Sequence, residues 1–152
     1  MVSNRLTNKV FFDASVLFAA AYSSTGAARE LIRFSTEDKI KLVVSQFFLE
    51  EARRNLAEKA PAKVAIFATL IATVELEIVP QITKEEILAV AAYTKLKDAP
   101  VVAAAIKGQC VFLVTYDRKH LIEPAEVADK SGLKIVTPDI VLNVVREQQN
   151  DE

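Results

Sequence analysis

The chain is short of the residues from which many sites and scaffolds are built. It has one cysteine, Cys110, and one histidine, His120. A single thiol excludes an internal disulfide and a thiolate metal cluster, and one imidazole excludes a multi-histidine zinc centre. Cys110 opens an apolar run and reads as a small buried hydrophobe. His120 reads as a surface or helix-start residue. Only three glycines and five prolines occur in 152 residues, which argues against a loop-rich, disordered or collagen-like chain. No apolar stretch reaches the ~18 residues needed to span a bilayer, and the first residues, MVSNRLTNKV, are polar. A soluble, cytoplasmic protein is the expectation. Basic surplus is missing too: the net charge is −1, which speaks mildly against broad nucleic-acid binding.

What is present is a hydrophobic fraction of 51%, enough for a full core, in a length that suits one domain over 1–152. Apolar runs alternate with helical segments. KVFFD (9–13), IKLVVS (40–45), LEIVP (76–80), VFLVTYD (111–117) and KIVTP (134–138) read as strands. Between them, 14–34 is helical with a break at Ser23–Gly26. QFFLEEARRNLAEK (46–59) is helical with Ser45 as N-cap. A helix from Pro61 runs to about Thr73. A capping box of Thr83 and Glu86 starts another, running to about Lys97. DAPVVAAAIKG (98–108) is helical with Gly108 as its stop. PAEVADKSG (124–132) and DIVLNVVREQQ (139–149) are the last two helices. Strands that are apolar throughout, not alternating, are those covered on both faces. The expected fold is α/β: three layers, with a parallel five-stranded sheet.

Open parallel sheets place ligands beyond the C-terminal ends of their strands. Acids gather there in the sequence. Asp13 ends the first strand, with Ser15 two residues on. Glu50 and Glu51 follow the second. Asp117 ends the fourth, behind Thr115. Asp98 opens the helix that feeds that strand. Each alone has an ordinary use: Asp13 and Asp98 as helix caps, Asp117 in a turn, Glu50 or Glu51 as solvated helix residues, and Asp139 as a cap after Pro138. Together they suggest an oxygen-only site. Two carboxylates 4 Å apart repel by ~4 kcal/mol at an effective dielectric near 20. A gathered set therefore implies a hard cation, Mg²⁺ or Mn²⁺.

Four blocks carry a family likeness, in order and over nearly the whole chain: VFFDASVLFAA (11–20 region), VVSQFFLEEARRNL (43–56), KDAPVVAAAIKGQCVFLVTYDRKHL (97–121) and KIVTP (134–138). Together they resemble a PIN domain, and among these the VapC-like toxin ribonucleases. The resemblance implies a sheet of order 3-2-1-4-5, with strands one and four adjacent. It implies a metal-dependent endoribonuclease using Mg²⁺ or Mn²⁺. It carries the family's acids onto Asp13, Glu51, Asp98 and Asp117, with Asp13, Asp98 and Asp117 as metal ligands. Glu51 is chosen over Glu50 by its six-residue distance from Ser45; its role as ligand or base stays open. Ser15 and Thr115 match the small polar residues that support the acids. Tyr116 departs from the family, which commonly has a small residue there; its ring would narrow the site mouth or stack on a base. Arg53, Arg54, Lys107, Arg118 and Lys119 are candidate phosphate contacts.

The resemblance further implies RNA as substrate, a small antitoxin protein as partner, and a homodimer. The apolar segments 64–72 and 140–145 are expected to be core rather than dimer face. The acidic net charge predicts weak nonspecific binding and recognition of a short RNA segment. Alternatives of other classes are a PIN-fold binding module with little turnover, a non-toxin RNA-processing nuclease, and an aspartate-phosphorylating enzyme. FFDASV resembles the first motif of haloacid-dehalogenase-type phosphatases, but Ser15 stands where those carry a second Asp. A receiver domain would want paired acids after strand one and a lysine after strand five, and neither is present.

Overall fold

The computed structural model describes residues 8–150. Five short strands form one parallel sheet: β1 (Lys9–Phe12), β2 (Lys41–Ser45), β3 (Leu76–Val79), β4 (Phe112–Val114) and β5 (Lys134–Val136). Their order is β3-β2-β1-β4-β5. The central strand β1 pairs Phe11 with Val43 on one side and with Leu113 on the other. Val10, Phe11, Phe12, Leu42, Val43, Val44, Leu113 and Val114 are inaccessible to solvent, as the uninterrupted apolar runs require.

Eight α-helices cover the sheet: α1 (Ala14–Tyr22), α2 (Ala27–Thr36), α3 (Gln46–Lys59), α4 (Val64–Thr73), α5 (Lys84–Ala91), α6 (Ala99–Lys107), α7 (Ala125–Ser131) and α8 (Pro138–Asn150). Helix α1 packs on α2, α3 and α4, and α2 packs on α8; α5 packs on α6. The chain steps one way from β1 to β2 and β3 and the other way from β3 to β4, and crossovers of the usual right hand carry the intervening helices on opposite faces of the sheet. None of the helices in the described residues is long and apolar enough to cross a membrane.

Local signals account for most element ends. The Ser23–Gly26 break separates α1 from α2, and the Arg29 guanidinium donates back to the carbonyls of Ala20 and Ala21 at the open end of α1. Ser45 caps α3 by accepting from the Phe48 amide, and Thr83 with Glu86 completes both bonds of the capping box on α5. Gly132 takes the left-handed conformation (φ 78°) that ends α7.

Some of these expectations are corrected. The helix from Thr83 ends at Ala91, not near Lys97, and a 3-10 turn at Leu96–Asp98 precedes α6. Pro100 has no amide hydrogen to bond the Leu96 carbonyl, so a helix cannot run through it from upstream and α6 starts afresh at Ala99. Gly108 does stop α6, but the left-handed residue is Gln109 (φ 57°). Gly108 itself is right-handed, and a side chain there would stand 3.0 Å from Val79 and 3.1 Å from Val43. Its smallness serves packing rather than φ. Asp139 lies inside the first turn of α8, which starts at Pro138. Finally, of segment 64–72 only Phe67 is buried, because α4 lies outermost over α1 and α3; in 140–145, Val141, Leu142 and Val145 are core as expected. Cys110 is half-buried, and burial pushes its thiol up to about 12.

Candidate functional site

The adjacency of β1 and β4 brings Asp13 and Thr115–Asp117 together across 102 residues of chain. The Asp13 amide continues the sheet by donating to the Val114 carbonyl at 3.1 Å. Its carboxylate is the hub of a small network. Oδ1 accepts from the Ala14 amide at 2.7 Å, so Asp13 is also the N-cap of α1. Oδ2 accepts from the Thr115 hydroxyl at 2.7 Å and the Ser15 hydroxyl at 3.3 Å. Thr115 is fully buried, and its hydroxyl in turn accepts from the Asp117 amide at 3.0 Å. The Ser15 hydroxyl accepts from the Tyr116 amide at 3.3 Å. Each hydroxyl thus holds Asp13 with one bond and the β4 tip with another.

Asp117 starts a turn of its own. Its Oδ1 accepts from the His120 amide at 3.1 Å and lies 3.3 Å from the His120 Nδ1. The turn is a short π-helical segment, Arg118–Ile122, which projects Arg118 and Lys119 into solvent beside the site. The sequence reading placed His120 only at a surface or helix start. The Asp117–His120 spacing of three was the signal for its contact.

The helix-borne acids approach the same edge. Helix α3 follows β2 without a loop, and β2 neighbours β1, so the first turns of α3 stand beside Asp13. Glu51, half-buried there, has its carboxyl held above the ordinary range, first by burial and then by the negative charge of Asp13. Asp13 is raised for the same first reason, with Asp117 adding repulsion, although its hydrogen bonds pull the other way. Asp13 therefore feels both neighbours. Glu50, by contrast, points to solvent and pairs with Arg53. Of the two, Glu51 is the one that feels the charge of Asp13.

Asp98 occupies the cap position of α6 but makes no capping bond. Its Oδ2 is buried and has no hydrogen-bond partner. An ordinary N-cap oxygen would accept a hydrogen bond from a helix amide, and Asp98 accepts none, so the simple structural use of this residue does not apply.

These four acids reach one edge of the sheet by different routes. As placed, no three His, Cys, Asp or Glu side chains among the described residues stand close enough to hold a metal ion. The donor set nonetheless fits a hard divalent cation: all-oxygen ligation, two carboxyls destabilised as anions by burial and by each other, and one buried oxygen without a donor. Of the candidate cations, Arg53 is bound to Glu50, and Lys107 donates to the Gln81 carbonyl at 2.9 Å and Glu86 at 3.0 Å. Arg54, Arg118 and Lys119 are exposed and make no ion pair among the described residues. Tyr116 is 44% exposed at the site mouth.

The sequence reading missed a cavity of about 440 Å³ beside this edge, lined by Phe47, Phe48, Pro80, Gln81, Ile82, Ile87 and Pro100 among others. It lies where the start of α3, the end of β3 and the start of α6 meet, a juxtaposition that no local pattern encodes.

Residues 9–119 match the model of the PIN domain. Among solved structures, PAE2754 from Pyrobaculum aerophilum superposes with a TM-score of 0.59 at 18% identity, covering 93% of this chain and 98% of that one. VapBC2 from Rickettsia felis, solved bound to a DNA fragment from its promoter, gives a TM-score of 0.57 at 9% identity, covering 84% and 96%. No curated protein matches by sequence. The family model spans most of the chain, and the sheet order and acid-bearing strand tips are those the resemblance called for: this chain belongs to the PIN domain family.

Proposed function

We propose that the protein is a metal-dependent ribonuclease that hydrolyses phosphodiester bonds of RNA. The observation that carries this reading is the unpartnered buried oxygen of Asp98 at the same sheet edge as Asp13, whose charge is set against those of Asp117 and Glu51. Asp13, Asp98 and Asp117 would hold Mg²⁺ or Mn²⁺. Bound there, the ion would neutralise the phosphate and lower the pKa of water, which removes the need for a histidine base.

The chain's own groups do the rest. Thr115 and Ser15 fix both the rotamer and the height of the Asp13 carboxylate above the strand tips. Glu51, raised by burial and by Asp13, is suited to orient a water molecule or accept its proton. Arg54, Arg118 and Lys119 offer positive charge to neighbouring phosphates in a protein of net charge −1. The fold shared with VapBC2 supports a role as the toxin of a toxin–antitoxin pair, with a small antitoxin as partner. A homodimer is part of the same reading; the exposed apolar side of α4 offers it a surface.

The test is cleavage of single-stranded RNA in Mg²⁺ or Mn²⁺, with EDTA and with Asp13→Asn. Cleavage that survives both chelation and the substitution would overturn the mechanism.

A further inference from the structure

The cavity beside the acids is adjacent to them on two sides. Phe47 precedes Glu51 by four residues on α3, one helical turn, so the two share a face. Pro100 follows Asp98 by two residues at the start of α6. Arg54 extends the same α3 stripe, at seven residues from Phe47. The face therefore reads aromatic, acid, cation in sequence.

Phe47 is 63% exposed, with Leu96 the most open of the large apolar side chains among the described residues. It is not loosely held. Its ring meets Phe48 edge-to-face at 5.1 Å, and Phe48 meets Phe11 of β1 edge-to-face at 6.1 Å. The open ring is thus braced through a buried one to the central strand. Pro80, Ile82, Ile87 and Pro100 contribute further apolar lining, and Gln46 and Gln81 contribute amides. The volume of about 440 Å³ lies in the range of pockets that enclose small organic groups, about 300–1,000 Å³. An exposed ring over an apolar slot, with amides in its lining and a phosphate-handling site one turn away, suits a flat heterocycle attached to a phosphate chain. It suits an aliphatic group less well, because the open face is aromatic and the lining includes amides.

We propose that this pocket receives one unpaired nucleobase of the RNA, next to the phosphate handled by the acids, with Phe47 as its stacking platform. The inference rests on the ribonuclease reading for the identity of the ligand, and it deepens that reading by requiring single-stranded character beside the cut. Base-paired RNA could not offer a base to the slot without opening.

The test separates binding from turnover. In full-length protein carrying Asp13→Asn to suppress cleavage, with Mg²⁺ present, fluorescence anisotropy would measure affinity for a labelled single-stranded RNA 8-mer of mixed sequence. The same would be done for 8-mers in which each position in turn is abasic. Phe47→Ala, Phe47→Tyr and the exposed-residue control Leu88→Ala would be compared in that background, with melting temperature as a check on folding. The expected result is that one abasic position weakens binding about tenfold. Phe47→Ala should weaken the intact strand by a similar factor and abolish the difference between intact and abasic strands, while Phe47→Tyr and Leu88→Ala should preserve both. If no abasic position weakens binding, or if Phe47→Ala leaves the difference intact, the pocket does not hold a base and would suit an apolar protein segment instead. Base-dependent binding by a protein whose wild type cleaves no RNA would uphold the pocket and overturn only the ribonuclease reading.

Discussion

The strand-borne and helix-borne halves of the acid edge are built in opposite ways. Asp13, on β1, accepts three hydrogen bonds and shares two hydroxyl braces with the β4 tip. Asp98, on the approach to α6, buries an oxygen that nothing in the protein satisfies. The first half would hold its shape with no ligand at all. The second has a cost on the order of 1–3 kcal/mol for a buried group left without a partner, a cost that makes sense where a cation is meant to bind. One half sets the geometry and the other supplies the appetite.

The largest effects should erase the comparison in activity but expose it in stability. A metal ion contributes several kcal/mol to transition-state charge stabilisation, and 1.4 kcal/mol is tenfold in rate. Asp13→Ala and Asp98→Ala are therefore each expected to lower kcat/KM for RNA cleavage on the order of 10³-fold. In thermal melts they should part company. Asp13→Ala removes a helix cap worth about 1 kcal/mol, whereas Asp98→Ala removes no hydrogen bond and should leave the melting temperature unchanged or higher. Equal losses of stability would refute the division into two halves.

The braces come next. Thr115→Val should cost about 10–100-fold in activity, the usual effect of losing a group that orients a metal ligand. Thr115→Ser should retain most of it, because the hydroxyl is the working part. A Val variant with unchanged kcat/KM would show that Asp13 needs no support.

Stability should then respond to cation and pH together. Burial and neighbouring charge raise the carboxyls of Asp13 and Glu51. The folded state thus binds their protons more tightly than the unfolded chain does. Their contribution favours folding below the ordinary carboxylate range and is lost as pH rises through the raised values. In metal-free melts the gap between Asp13→Asn and wild type should move in favour of the variant as pH rises from about 4 to 7. Mg²⁺ should stabilise wild type at neutral pH by a few degrees through preferential binding to the native state, and Asp98→Asn should abolish that gain. The smallest effect is expected at Arg53. Already paired with Glu50 at the surface, its change to Ala should alter RNA affinity by less than about threefold, against a larger loss for Arg54→Ala.

Much of this architecture is legible in the residues themselves. Val10–Phe12 and Val111–Val114 are apolar on both faces, so they had to be interior strands, and their terminal acids had to meet wherever those strands are neighbours. Ser45 and Thr83 announce their helices through short-range bonds that any reader of the sequence can find. The end of α5 was harder, since Ala92–Lys97 contains nothing hostile to a helix, and Pro100 only bars a helix from running on past Leu96. Gly108 was read correctly as a stop, but the packing reason for its smallness was out of reach: its neighbours Val43 and Val79 lie far away in the chain. The same limit hid the Phe47 cavity. It exists only because three elements from different parts of the chain converge, and Phe47 by itself looks like one more apolar residue of α3. Segment 64–72 misled for a related reason, as hydrophobicity alone does not say which layer a helix will occupy.

Asp117 holds two jobs with one atom. Its Oδ1 anchors the amide and lies close to the ring of His120, which fixes the turn carrying Arg118 and Lys119. Anything that draws electron density from that oxygen loosens the anchor, and anything that repositions the turn tugs on the oxygen. Whatever that carboxylate holds would be mechanically linked to the posture of the basic turn, with a single side chain as the rod between them.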